Sequence, residues 1–128
     1  MAEYFGSDFI YGELTGNSEI TDIVGTAIYS ARLIPESENS LKTINFYTIG
    51  NFDGALEYFE REWSIDCRSN NEQESKNIAF LVYENLNRYH ATVSGKAYFS
   101  VCSILSTIEP LNDSDVYNTP VSMLLKRR

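Results

Sequence analysis

The sequence predicts an α+β domain: a mostly antiparallel sheet of about five strands packed against a long helix and N-terminal helices. Three observations carry this. Apolar and polar residues alternate in twos over several separate segments. One clear helical stripe, between residues 70 and 90, interrupts them. The 128 residues are the length of one domain, 1–128, and 43% of them are hydrophobic, enough for one core.

The chain opens on a helical pattern, with Phe5, Phe9, Ile10 and Leu14 on one side and Gly6 and Gly12 weakening it. "TGNS" breaks that helix. Asn17 or Ser18 caps a second, short one with Ile20, Ile23 and Val24 as its apolar face and Gly25 as its stop. "TAIYSARLI" reads as a strand ended by Pro35, and "KTINFYTIG" as a second, rich in β-branched and aromatic residues. The third and longest, from about Leu56 to Cys67, is long enough to extend past the body of the domain. Phe59, Trp63, Ile65 and Cys67 share one side of it with Arg61. Tyr58, Glu60, Glu62, Ser64, Asp66 and Arg68 share the other.

The long helix follows. Asn70 or Asn71 caps it, and Glu72 and Glu74 lie in the first turn, where the helix dipole favours them. Ile78, Leu81, Val82, Leu86 and Tyr89 make its apolar stripe. Arg88 and His90 fall at the C-terminal end, where positive charge is favoured. "VSGK" is a turn, and "AYFSVCSILSTIEP" a long strand stopping at Pro110. "PVSMLLKRR" is a last strand, in which Pro120 starts the strand or lies at an edge. Trp63, Ile65, Val82, Leu86, Phe99 and Val101 are the expected core between sheet and helix.

Composition excludes several functions. A formal charge of −8 repels a phosphate backbone, which argues against sequence-independent DNA binding by the whole surface. No GxGxxG or GxxxxGK[ST] loop is present. Cys67 and Cys102 lie in apolar alternating runs and read as buried free thiols, without metal-ligand spacing. The acidic N-terminus does not read as a secretory signal, and no window approaches the ~18 apolar residues of a membrane span. The expected compartment is therefore a reducing cytoplasm. His90, the single histidine, reads as a partner of the helix end rather than as a base.

Glu60, Glu62 and Asp66 are the candidate site residues. Neighbouring carboxylates can move protons or bind a hard cation, but these alternate with Tyr58 and Ser64 on an open face without a Gly-rich loop. They read as a solvated or interface face. No catalytic residue, metal or cofactor is expected.

The order of elements resembles that of the tail terminator (tail completion) proteins of tailed bacteriophages. "NSEITDIVGTAIYSARLIP" is similar to the family's short helix, strand and proline, and "INFYTIG" to its middle strand. "YFEREWSIDCRSNNEQESKNIAFLVYENLN" is similar to its long strand and helix, and "AYFSVCSIL" and "TPVSMLLKR" to its closing strands. The resemblance implies a structural virion protein of the phage neck, not an enzyme. It implies a homo-oligomeric ring, commonly a hexamer, that caps the tail tube and joins it to the head connector. The implied partners are other copies of the chain, the tail tube protein and a head-completion or connector protein. DNA passes through without specific binding, and no membrane is involved. The protein is then made in the bacterial host cytoplasm and resides at the head–tail junction of the virion. In such a ring Glu60, Glu62 and Asp66 face either the channel or a subunit boundary. Two alternatives stand beside this reading. One is a head-completion or minor capsid protein of the same neck. The other is a small-ligand-binding α+β domain with Tyr29, Tyr47 and Trp63 lining a pocket.

Overall fold

A computed structural model describes residues 6–30, 42–49, 59–93, 95–110 and 116–127. Along the chain these form α1 (Ser7–Thr15), α2 (Ser18–Val24), β1 (Ile28–Ser30), β2 (Thr43–Ile49), β3 (Phe59–Ser69), α3 (Glu72–Leu86), β4 (Tyr89–Val93), β5 (Lys96–Ile104) and β6 (Tyr117–Arg127). The strands make one curled sheet in the order β1-β2-β3-β6-β5-β4. The α+β class is as the sequence predicts, but the sheet has six strands, not five, and is mixed. β1 runs parallel to β2, and every other pair is antiparallel. The principal helix, α3, is of ordinary length at 15 residues.

Local chemistry explains the helix ends. Asn17 Oδ1 accepts the backbone N–H groups of Glu19 and Ile20, capping α2, and Gly25 at φ 63° stops it. Asn71 Oδ1 accepts the Glu74 N–H and caps α3. Ser75, Ile78, Ala79, Val82 and Leu86 form the buried stripe of α3. The helix ends one turn earlier than its periodicity suggests: the Asn87 N–H closes on the Tyr83 carbonyl, and Arg88 turns left-handed at φ 53°. Tyr89 and His90 therefore lie on the edge strand β4, not on the helix, and His90 is no partner of a helix terminus. Its ring instead packs 4.4 Å from Phe99 of β5.

The core lies between the helices and one face of the sheet. Ile44, Phe46, Trp63, Ile65, Cys67, Val121, Met123 and Leu125 supply the face, and Phe9, Ile10, Leu14, Ile20 and the α3 stripe cover it. Trp63, Ile65, Val82 and Leu86 are buried as expected, but Phe99 and Val101 are not part of this core. In β5 the inward residues are Tyr98, Ser100 and Cys102, so Phe99 and Val101 point to the outer face, with Val101 39% exposed. Every second residue in β5 is apolar or small in either phase, so alternation alone leaves the face undetermined. Cys67 and Cys102 are free and buried. Burial, and next to it the charge of Asp66, pushes the Cys67 thiol well up; burial alone pushes Cys102 up to about 12.

β3 does not project alone from the domain. It pairs along its whole length with β6, from Phe59 opposite Arg127 to Ser69 opposite Tyr117. β6 is thus central, and Pro120 sits inside it rather than at its start or on an edge. The reason is the place where β5 departs. The Leu105 N–H donates to the Pro120 carbonyl, and the reciprocal bond of an antiparallel pair is missing because proline has no N–H. The ladder lapses there and resumes as a single bridge between Ile108 and Asn118.

α1 reaches both edge strands. It packs on β1, while the Phe9 ring lies tilted 6.1 Å from that of Tyr89 on β4 and Glu13 accepts the Tyr89 hydroxyl. At its start Gly6 takes φ 86°, the left-handed region that favours glycine, with its Cα facing the Leu125 side chain. Phe5, Tyr58, residues 31–41 and residues 111–115 fall outside the described residues, and with them the last four residues, 31–34, of the strand expected at "TAIYSARLI".

Candidate functional site

The outer face of the sheet carries the residues singled out from the sequence. Strand alternation turns Glu60, Glu62, Ser64, Asp66 and Arg68 away from the helices, as expected. The register then sets their neighbours. Asp66 lies between Asn45 of β2 and Pro120 of β6, Ser64 between Tyr47 and Ser122, and Glu62 between Ile49 and Leu124. Glu60 lies beside Lys126.

The three acids have different environments. Asp66 is half-buried, and its carboxylate accepts the Tyr47 hydroxyl at 3.1 and 3.3 Å and the Ser64 hydroxyl at 3.2 Å. Hydroxyl donors satisfy an ionised carboxylate and hold it in place. Glu60 and Glu62 are exposed. Glu60 Oε1 lies 3.9 Å from Lys126 Nζ, a solvated pair worth little. No group of three or more His, Cys, Asp or Glu side chains among the described residues is arranged to hold a metal ion.

The face is not uniformly acidic. Leu124 and Val101 are paired beside Glu62, and Phe99 and His90 lie beyond Lys126. Phe99 and Val101, expected in the core, stand on this outer face because the inward residues of β5 are Tyr98, Ser100 and Cys102. What the arrangement offers is an amphiphilic surface: acids on β3, aliphatic and aromatic side chains on β6 and β5. Tyr29, Tyr47 and Trp63 do not converge on a pocket. Tyr29 pairs with Asn45 and shares the outer side with Tyr47, whereas Trp63 is 2% exposed on the core side.

No protein-family model and no curated protein matches the sequence. Solved structures do share the fold. One is a chain of the virion of a native gene transfer agent particle. It aligns with TM-score 0.68 and 16% identity, over 92% of this chain and 90% of that one. A second, from a protein carrying no functional description, aligns with TM-score 0.62 and 8% identity, over 95% and 96% of the two chains. At such identities the likeness is one of fold. In both alignments nearly the whole of each chain takes part, so the six-stranded sheet with its three helices is a shared unit and not a local coincidence of strands.

Proposed function

We propose that this chain is a structural virion protein of the phage neck. In this reading it is a single tail-terminator-like domain that forms a homo-oligomeric ring, a hexamer, capping the tail tube and joining it to the head connector. The observation that carries the proposal is the fold shared over nine-tenths of both chains with a component of a gene transfer agent virion. The order of elements quoted from the sequence points to the same class. The outer sheet face supports a surface role: its acids are solvated or held by hydroxyls, and they do not converge on a reacting centre. Such a protein works by contact rather than catalysis.

The ring's partners are further copies of the chain, the tail tube protein and a head-completion or connector protein. Glu60, Glu62 and Asp66 face the channel or a subunit boundary. On a channel wall they repel phosphate and let DNA slide past without being held. The test is electron microscopy of particles carrying a labelled copy of the chain. Label at the head–tail junction supports the proposal. Label confined to the head shell, or absence from the particle, refutes it.

A further inference from the structure

Among the described residues, one cation stands apart. Lys42, Lys76 and Lys126 lie 3.2, 3.1 and 3.9 Å from the carboxylates of Glu74, Glu72 and Glu60. Arg61 and Arg127 have contacts of their own. Arg88 and Lys96 are exposed, so water serves them. Arg68 is half-buried on the outer sheet face, and its Nε is shut off from solvent without an acceptor among the described residues. Asp66, two residues back on the same side, forms no ion pair with it; its carboxylate accepts the Tyr47 and Ser64 hydroxyls. A donor removed from water and left unbonded costs stability that an incoming acceptor restores.

The register supplies the neighbours of Arg68. It lies opposite Asn118 of β6, and Asn118 is bridged in turn to Ile108. Residues directly opposite share a side of the sheet, so Arg68, Asn118 and Ile108 form one row across the outer face. Asn118 Oδ1 is likewise buried without a donor among the described residues, and Ile108 is 51% exposed. The row exists because the β5 ladder lapses at Pro120 and the chain returns to β6 only at Ile108. Arginine is enriched at the centres of protein contacts, where its fork pairs bidentately with a carboxylate and its stem packs on apolar neighbours.

We propose that this corner of the outer face receives a carboxylate of a second copy of this chain, seated on the Arg68 guanidinium with Ile108 packed beside it. The inference rests on the ring reading above, which supplies the neighbour. Charge favours a carboxylate carried on protein over a phosphate backbone. Glu60, Glu62 and Asp66 share the face and repel a continuous run of phosphates. A single carboxylate meets Arg68 near the end of β3, roughly 20 Å from Glu62 at a strand's rise per residue. The chain is well supplied with such groups, carrying 18 acids against 10 lysines and arginines. Among the described residues Asp8, Glu19, Asp22, Glu62, Glu84 and Glu109 are exposed and hold no cation. Four of these, Asp8, Glu19, Asp22 and Glu84, stand on the helices. Pairing one of them with Arg68 joins the sheet side of one copy to the helix side of the next. That contact is head-to-tail, the kind that closes a ring.

Light scattering after size exclusion tests it. Wild-type protein should run at several times 14.6 kDa. Arg68→Glu and Ile108→Glu should each run as a monomer, and far-UV circular dichroism shows that each remains folded. Arg68→Lys keeps the charge but not the fork, and should assemble about tenfold more weakly. The decisive step reverses the pair. Each of the 18 acids is changed to arginine in turn within the Arg68→Glu chain, and one such change should restore the wild-type mass. A folded Arg68→Glu or Ile108→Glu chain of wild-type mass overturns the inference and leaves the ring reading standing. So does a loss of assembly that no acid reversal restores. An Arg68→Glu chain of wild-type mass that no longer retards a DNA duplex would assign the corner to phosphate instead, and overturns the inference too. A wild-type chain that is monomeric at its highest soluble concentration overturns it outright. A rescued pair in a chain absent from the head–tail junction leaves the inference intact and refutes the reading of function.

Discussion

Leu86→Ala is expected to be among the most destabilising single changes in this chain, and Val101→Ala one of the mildest at an apolar strand position. Leu86 is fully buried at the last turn of α3, and its carbonyl accepts the hydroxyl of buried Ser100. Truncation removes the transfer energy of the lost carbons and leaves a cavity beneath a helix that is pinned on both sides, so the cost is about 2–5 kcal/mol. Val101 is already 39% exposed on the outer face, and its truncation forfeits about 1 kcal/mol or less at ~0.8 kcal/mol per buried methylene. An unfolding entropy of about 2.1 cal/mol/K per residue gives roughly 0.27 kcal/mol/K for 128 residues. A loss of about 3 kcal/mol therefore lowers Tm by about 11 °C. The assay is urea unfolding followed by tryptophan fluorescence, since Trp63 sits in the same core. All variants are compared at one protein concentration, because association adds apparent stability. A cost under about 1 kcal/mol for Leu86→Ala, or equal costs for the two variants, would refute the phase assigned to β5 and the face assigned to α3.

Other outcomes follow from single features. Asn71→Ala removes the cap of α3 and should cost about 1 kcal/mol in the same unfolding assay, with Asn71→Asp restoring most of it. Both thiols should resist a thiol-reactive dye at pH 8 and react once urea is added. Since both folded-state thiol pKa values are raised, the unfolded chain loses protons first. The thiols' stabilisation is thus fully present below about pH 8.5 and falls as pH rises toward about 12, seen as a declining urea midpoint. Changing Glu60 and Glu62 together to Gln should leave folding unchanged, since both are exposed. If the face lines the channel, particles assemble but release DNA slowly, most clearly at low salt. If it lies between subunits, joining fails, and normal particles delivering DNA at the normal rate would show the acids to be merely solvated.

Much of this molecule was decided locally and could be read from the chain. Asn17 and Asn71 cap helices because their side chains reach backbone N–H groups two or three residues on. The division of β3 into an apolar and an acidic side needs only strand geometry, and Trp63, Ile65 and Cys67 lie where alternation puts them. Net charge and the absence of a phosphate-binding loop are properties of the sequence alone. Tertiary structure decided the rest. β4 forms because β5 offers it a ladder, and no local signal separates "YHATV" from the end of a helix. The phase of β5 was ambiguous until Tyr98, Ser100 and Cys102 were drawn under the helices. Pro120 is tolerated in a central strand only because the neighbouring strand leaves at that residue. The last strand in the chain occupies the middle of the sheet, between β3 and β5. That pairing joins residues far apart in sequence, so its energy appears only when the whole sheet closes. The same closure surrounds the acids of β3 with Tyr47, Leu124 and Lys126, neighbours that no spacing along the chain could reveal.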